Sequence, residues 1–236
     1  MISRLVAILA WLTAGHALLA GLFWLLLSTP ESNVAMLTVS ALTAMLITLV
    51  FGWLEAAGLL AWHTEAPPWR LAGRAFRAAP AVWLGAAFFV AVWYLVAHAG
   101  AWWSNHQGET DAWLMLHLGK ADTTVLHKGV RVLLVVVTFL GLSLALSLAS
   151  AVVSDGYRAI ASARWMRGGV SPRQLLLVAA ALFLFVWLPW QGVDWHPSWL
   201  KPNWQETAFV TAKLGAIYLL ANLGWALSLG VAAKPR

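Results

Sequence analysis

Six long apolar runs constrain the fold of this chain more than any other feature of its sequence. A helix needs about 20 apolar residues to cross the hydrocarbon of a bilayer, and the runs have about that length with no alternating polar face. They cover residues 5–27, 34–62, 79–99, 130–153, 174–190 and 207–231. We therefore predict an all-α fold in which residues 1–236 form a single membrane domain, a multi-pass bundle of six transmembrane helices.

The composition supports this prediction and excludes other classes of protein. Hydrophobic residues make up 61% of the chain and charged residues only 10%, whereas a soluble domain carries about 25% charged residues. The net charge of +6 lies in short connections between apolar runs. We attribute it to membrane topology and predict no nucleic-acid partner. Because cysteine is absent, disulfides and thiolate sites are excluded.

The distribution of basic residues predicts the orientation of the bundle. If the chain crosses six times, Arg4, the arginines of 70–77 and 158–173, and the basic residues of 234–236 all fall on one side. Most acidic residues fall on the other side. Since basic residues are enriched in cytoplasmic connections, we expect a plasma (inner) membrane protein with both termini in the cytoplasm.

Two outer connections are rich in tryptophan. Residues 99–129 are predicted to form a large outer loop, in which Thr110 and Asp111 begin a short amphipathic helix on the membrane surface. Residues 191–206 carry prolines and three further tryptophans: Trp195, Trp199 and Trp204. Such segments are typical of anchoring at the lipid–water interface, and the alternative is contact with another subunit.

Segments 34–99 and 130–190 have the same order of features. In each, an apolar run, an arginine-rich connection and a second apolar run follow in the same direction. This order predicts a parallel internal repeat, which occurs in some transporters. The alternative is that two unrelated hairpins obey the same charge rule.

Small residues follow one helical face of the first and fourth runs. Such spacing lets helix backbones approach closely in lipid, so both faces are predicted to pack against helices. The first face consists of Ala10, Ala14, Ala17 and Gly21. The second includes Ser143, Ser147 and Ser150. The serines have an alternative interpretation as the lining of a polar path.

Ala10 and Ala14 form an Ala-x-x-x-Ala pair in the first span. This pair and the number of spans resemble the substrate-binding subunits of energy-coupling-factor transporters, which dock on a partner through such a motif. The resemblance implies a substrate-binding component of a larger transporter. The short link of residues 28–33 departs from the long lid loop that those subunits usually have.

Three polar side chains lie within apolar runs. Because a bare carboxylate in hydrocarbon is costly, Glu55 is expected to face protein, as a proton or ion relay or a partner contact. The alternative is a position near the headgroups, paired with Arg70 or Arg74. Lys213 is expected to extend toward water at the end of its run. Asn222 is expected to bond a neighbouring helix.

His16 and His98 are the candidate ligands for a cofactor such as a tetrapyrrole. Facing haem ligands lie at similar depth in two spans, and these two histidines do not clearly match in depth. We therefore predict no cofactor and no metal site. No catalytic residue is assigned, because the motifs of nucleotide-binding loops, serine hydrolases and zinc proteases are absent. An enzyme is the less favoured class.

These features lead to three hypotheses about function. The first is an integral membrane subunit that packs against or scaffolds a larger complex, with the lipid bilayer and other membrane subunits as partners. The second is a small six-helix transporter or channel, which a central cavity bordered by Glu55 or the serines would favour. The third is a membrane enzyme acting on lipid or quinone, for which no converging set of polar residues is evident.

Overall fold

The computed structural model describes residues 2–30, 32–64, 66–119, 123–195, 197 and 204–233, and it contains no strand in these ranges. A 3-10 turn (Pro68–Leu71) precedes the third helix, and a π-helical turn (Phe183–Trp187) joins the seventh to the eighth. The helices are α1 (Ile2–Ser28), α2 (Val34–Thr64), α3 (Ala72–Leu118), α4 (Thr123–Asp155), α5 (Arg158–Ala161), α6 (Arg164–Gly169), α7 (Pro172–Leu182), α8 (Leu188–Gln191) and α9 (Trp204–Ala233).

Six helical segments among the described residues are long and apolar enough to cross a membrane. They are α1, α2, α3, α4, α9 and the composite of α7, the π turn and α8, so the predicted all-α bundle with six spans is confirmed. Leu27 and Leu95 are 84% and 66% exposed, as expected for side chains that face lipid. The core contains many alanines, which bring the helices close together.

The third helix is much longer than the sequence predicted. It runs for 47 residues without a break, about 70 Å at 1.5 Å per residue, whereas a bilayer with its headgroups is about 40–45 Å thick. Residues 100–118 of α3 and 123–134 of α4 form what we call the hairpin extension. In it, Asp111 Oδ1 lies 2.9 Å from His127 Nε2, and the Trp103 and His127 rings are 5.6 Å apart.

The prediction of a large outer loop over residues 99–129 was therefore wrong for the described part of that segment. Thr110, predicted to begin a surface helix, lies inside α3, where its hydroxyl donates to the His106 carbonyl at 2.9 Å. The side-chain contacts between α3 and α4 support a helical hairpin where hydropathy alone indicates a break. The sequence pattern does not reveal these contacts because they depend on how the two helices pair.

Indole groups connect four helices of the bundle. Trp11 of α1 donates to the Leu54 carbonyl at 3.1 Å, and Trp62 of α2 donates to the Ala226 carbonyl at 3.1 Å. Trp53 donates to the Ala72 carbonyl at 2.9 Å. Buried indole N–H groups need acceptors, and here they join α1, α2, α3 and α9.

The connection between α4 and α7 folds back along α4. Gly168 and Gly169 are buried at the end of α6, and a Cβ on Gly169 would lie 2.8 Å from the Cα of Leu144. Ser143 donates to the Gly169 carbonyl at 2.8 Å, although α4 continues to Asp155, about 18 Å further along its axis. Only glycine fits this close approach, so part of the arginine-rich connection lies against the bundle.

The fifth spanning segment widens into a π turn before Pro189. Proline has no N–H to donate to the residue four positions earlier, which is Phe185. The Leu188 N–H instead bonds to the Phe183 carbonyl, five residues earlier. The widened turn packs against Gly224 of α9, where a Cβ would lie 2.8 Å from the Phe185 Cβ.

Lys213 and Trp195 stabilise the connection that enters α9. Lys213 Nζ donates to the carbonyls of Val193 and Trp195, the latter at 2.8 Å. The Trp195 ring packs edge-on against Phe209 at 5.6 Å. The Lys213 ammonium therefore binds protein carbonyls, where the sequence predicted a side chain extending toward water. Trp199 lies outside the described residues.

The orientation of the bundle and the internal repeat stay predictions. One end of the bundle brings Arg4 to the end of α2, where its Nη1 donates to the Trp62 carbonyl at 3.3 Å. The two hairpins of the predicted repeat are connected differently, because a single 3-10 turn joins α2 to α3 whereas α5 and α6 lie between α4 and α7.

Candidate functional site

Four side chains from α1, α2 and α9 form a hydrogen-bonded cluster that contains one buried carboxylate. Glu55 is 2% exposed. His16 Nε2 lies 2.9 Å from Glu55 Oε1, and Trp225 Nε1 donates to Glu55 Oε2 at 2.8 Å. Asn222 Oδ1 lies 2.6 Å from His16 Nδ1. We call His16, Glu55, Asn222 and Trp225 the polar cluster.

The second helix carries Glu55 through the most enclosed part of the bundle. All residues from Leu54 to Leu59 are buried. A carboxylate without hydrogen bonds would be strongly unfavourable there, and both oxygens of Glu55 have a partner. These partners belong to α1 and α9, in place of the Arg70 or Arg74 that the alternative prediction named.

A second set of hydrogen bonds fixes the orientation of Asn222. Its Nδ2 donates to the Tyr218 carbonyl at 2.9 Å, so its Oδ1 is the atom that faces His16. The Tyr218 hydroxyl donates to the Thr13 carbonyl at 2.6 Å and joins α9 to α1 beside the cluster. Asn222 thus bonds a neighbouring helix, as the sequence predicted.

An apolar cavity of about 350 Å³ lies against the polar cluster, between α2, α3, α4 and α9. Glu55 and the rings of Phe51, Phe89 and Trp225 form part of its wall. The space exists because α3 and α4 present small residues to it: Gly85, Ala86, Ala145 and Ala149. Its volume is near the lower end of the range of small-molecule sites, roughly 300–1,000 Å³.

The site joins a proton-exchanging pair to an apolar space. Glu55 and His16 are within the distance at which a proton can pass between an oxygen and a nitrogen. Among the residues that line the cavity, Glu55 is the only one with an ionisable side chain. The arrangement therefore places a carboxylate that can exchange a proton with an imidazole beside an apolar space.

The polar cluster offers few ligands to a metal. Glu55 and His16 supply two donor groups, whereas protein metal sites generally use three or four. The described residues contain no group of three or more His, Asp or Glu that could hold an ion.

Ser143, Ser147 and Ser150 of α4 are buried, and two of them bond neighbouring elements. Ser143 also accepts from Gln174 Nε2 at 3.1 Å, and Ser150 Oγ lies 3.0 Å from His63 Nε2. These contacts favour helix packing, rather than the lining of a polar path, as the role of this serine face. A second cavity of about 300 Å³ lies near the ends of α2, α4 and α9, and its lining includes Ser147, Ser150, His63, Asp155 and Arg164.

The small-residue face of α1 does not pack within this chain. Its four residues are exposed, and nothing lies within 4 Å of a Cβ added to Gly21. The face of α1 that packs inward carries Ile8 and Leu12, both fully buried. Ala10, Ala14, Ala17 and Gly21 therefore have no packing partner among the described residues, because spacing reveals a shared face and not what it meets. Contact with another molecule stays a prediction.

The two candidate cofactor ligands do not come together. Both ring nitrogens of His16 lie within hydrogen-bond distance of protein oxygens in the polar cluster. His98 is exposed on α3 and stacks on Tyr94, with ring centroids 6.2 Å apart. The two histidines therefore do not form a facing pair of ligands. The prediction of no cofactor stays a prediction.

Sequence reasoning did not identify Trp225 as part of the site. A signal was present, because Trp225 lies three residues after Asn222 and so shares its helical face. An indole N–H inside a membrane also needs an acceptor. The pairing of α9 with α1 was not predictable, since His16 and Asn222 are 206 residues apart in the chain.

Neither a protein-family model, nor a curated protein, nor a solved structure matches this chain.

Proposed function

We propose that this protein is a small six-helix membrane transporter that binds its transported molecule in the cavity beside Glu55. The observation that supports this proposal is that Glu55, which is hydrogen-bonded to His16, lies at the wall of an apolar cavity between predicted spans. Ionisable residues within spans are costly, and in membrane proteins they typically mark substrate pathways and proton relays. In the predicted orientation, the arginine-rich end of the bundle faces the cytoplasm.

Stability alone accounts less well for the polar cluster. Replacing a buried ion pair by apolar side chains of similar size is often neutral or stabilising, so packing does not require Glu55 and His16. The cavity points the same way, because α3 and α4 line it with glycine and alanine in positions where larger side chains would make more dispersion contacts. Together they favour a site that serves a ligand.

The test compares the small molecules that cells retain or export. Cells lacking the chromosomal gene would be complemented with the wild-type protein, Glu55→Gln or Ala86→Phe, and their metabolites compared by mass spectrometry. Ala86→Phe extends a ring into the cavity. We expect both variants to shift the same metabolites in the same direction as the deletion.

Ala87→Phe is the matched control, because Ala87 is the neighbouring residue on the exposed side of α3. It adds the same ring outside the cavity and should restore the wild-type pattern. Equal amounts of folded protein must be verified for each variant by gel filtration in detergent. Full complementation by both Glu55→Gln and Ala86→Phe would refute transport through the cavity.

A subunit of a larger membrane complex is the second candidate function. The exposed small-residue face of α1 favours it, since such a face lets a helix of another chain approach closely. The native mass after gentle detergent extraction at native expression level tests this candidate. A stoichiometric larger assembly that Ala14→Leu dissociates would support it, and a lone monomer would exclude it.

A further inference from the structure

We infer that the cavity takes a lipophilic organic cation and exchanges it for the one proton held between Glu55 and His16. This inference rests on the proposed transporter function, to which it adds a substrate class and an exchange stoichiometry. It draws on the hydrogen bonds of Asn222, the surroundings of Glu55 and the aromatic wall of the cavity.

Asn222 determines where His16 carries its first proton. Because Asn222 Nδ2 donates to the Tyr218 carbonyl, Oδ1 faces His16 Nδ1 at 2.6 Å. An amide oxygen can only accept, so Nδ1 must carry a hydrogen. The remaining nitrogen, Nε2, faces Glu55 Oε1 at 2.9 Å.

One proton then lies between Nε2 and Oε1. On Nε2 it makes an imidazolium beside a carboxylate, and on Oε1 it makes a neutral imidazole beside a carboxylic acid. Both forms are neutral as a pair, which limits the cost of burial in apolar surroundings. Removing the proton would leave a carboxylate facing a lone pair, an arrangement that a second cation beside Glu55 would relieve.

No other charged side chain competes for Glu55 within the described residues packed around it. From α9 it meets Trp225, which donates to Oε2, and from α1 it meets His16. The residues that α3 and α4 contribute to the cavity are all apolar, among them Val82 and Leu146. Among the described residues that line the cavity, Glu55 therefore supplies the only carboxylate, and a cation must displace its present partners to pair with it.

The cavity wall has the composition that recognises an organic cation. Phe51, Phe89 and Trp225 present aromatic rings, whose faces attract cations most strongly where water is excluded. The other lining residues are aliphatic or glycine and suit a hydrocarbon body. A neutral apolar molecule would use the same wall without engaging Glu55.

The exchange step conserves charge. The cation R⁺ enters and pairs with the Glu55 carboxylate, Nε2 releases its proton to solvent, and neutral His16 retains the Nδ1–H bond to Asn222. The site begins as a neutral pair and ends as carboxylate plus R⁺, also neutral. One proton leaves for each cation bound, and the reverse sequence releases the cation.

The experiment uses the purified full-length protein in detergent and two probes of nearly equal shape. Benzyltrimethylammonium is the cation, and neopentylbenzene is its neutral isostere. Isothermal titration calorimetry, with protein-free micelles subtracted, gives the affinity of each. Repeating it in two buffers of different ionisation enthalpy gives the number of protons released.

For the cation we expect release of about one proton and an apparent Kd that falls about tenfold per unit rise in pH while the pair holds its proton. For the isostere we expect no proton release and no pH dependence. Glu55→Gln should weaken cation binding at least tenfold and leave isostere binding unchanged, whereas Glu109→Gln, an exposed acid on α3, should change neither.

Cation binding that is absent in the wild type, releases no proton or survives in Glu55→Gln would overturn the exchange. If Glu55→Gln does not fold, the pH dependence of the apparent Kd of the cation for the wild-type protein tests the exchange. If only the isostere binds and Ala86→Phe prevents its binding, the cation exchange is refuted. A transporter that binds a neutral molecule in the cavity is then still supported. If cation exchange is found but the metabolite comparison refutes transport, the proposed function fails while the site stands.

Discussion

Two carboxylate–imidazole pairs in this protein have the same separation and opposite surroundings. Glu55 and His16 are 2.9 Å apart inside the bundle, and Asp111 and His127 are 2.9 Å apart in the hairpin extension. The Glu55 side chain is 2% exposed and that of Asp111 is 32% exposed. The two pairs therefore have the same separation, but their carboxylates differ in exposure to solvent.

The surroundings of the imidazoles also differ. In the polar cluster both ring nitrogens of His16 have oxygen partners, and Trp225 satisfies the second carboxylate oxygen. In the hairpin extension, the buried His127 Nδ1 has no hydrogen-bond partner. The difference teaches that a short carboxylate–imidazole distance does not identify a site. A complete set of partners and an adjacent cavity distinguish the polar cluster from the pair in the hairpin extension.

The largest expected effect is that of Glu55→Ala. It leaves the Trp225 N–H and His16 without their acceptor in a buried position, so we expect a loss of about 3 kcal/mol of unfolding free energy. Reversible unfolding in mixed micelles of increasing denaturing detergent would measure it. Asp111→Ala is the matched control and should cost less than about 1 kcal/mol. Equal losses in the two variants would remove the contrast between the pairs.

Gly169→Ala should have the next largest effect. The added Cβ would meet the Leu144 backbone, so α6 must move away from α4, and we expect a loss of about 2 kcal/mol. Gly129→Ala in the hairpin extension has open space around it and should be neutral or slightly stabilising, because alanine favours a helix. The same unfolding assay applies. A neutral Gly169→Ala would contradict the close packing of the connection.

Ser143→Ala should produce a smaller loss, of about 1 kcal/mol. It removes the hydroxyl that bonds the Gly169 carbonyl and receives Gln174 Nε2 in the bundle. Ser104→Ala on the exposed surface of the hairpin extension should lie within about 0.5 kcal/mol of the wild type. If Ser143→Ala and Ser104→Ala lose the same unfolding free energy, burial does not set the contribution of a hydroxyl hydrogen bond in the two regions.

The smallest effect should come from Asp111→Asn. Solvent screens the partly exposed pair, so we expect a change of about 0.5 kcal/mol at low salt that disappears near 1 M salt. Unfolding midpoints at the two salt concentrations would measure it. A large, salt-independent loss would mean that the hairpin extension depends on its pair as the bundle depends on Glu55.

Hydropathy predicted the six spans well, because the backbone in lipid must satisfy its own hydrogen bonds and only long apolar helices do so here. Glu55 was predictable as a residue with protein partners, since its charge cannot stay unpaired in hydrocarbon. The identity of those partners was not predictable, because α1, α2 and α9 meet through contacts between distant parts of the chain. The length of α3 was missed for the same reason, since Asp111 and His127 act across two helices.

The indole of Trp225 and the amide of Asn222 have a consequence for how the protein is made. Ribosomes synthesise α1 and α2 long before α9, so His16 and Glu55 enter the bilayer while two of their partners do not yet exist. Until α9 inserts, one carboxylate oxygen and one imidazole nitrogen lack their hydrogen bonds, and the wall of the cavity lacks a side. The hydrogen bonds of the polar cluster are therefore complete only once the last helix has been synthesised and has packed against the first two.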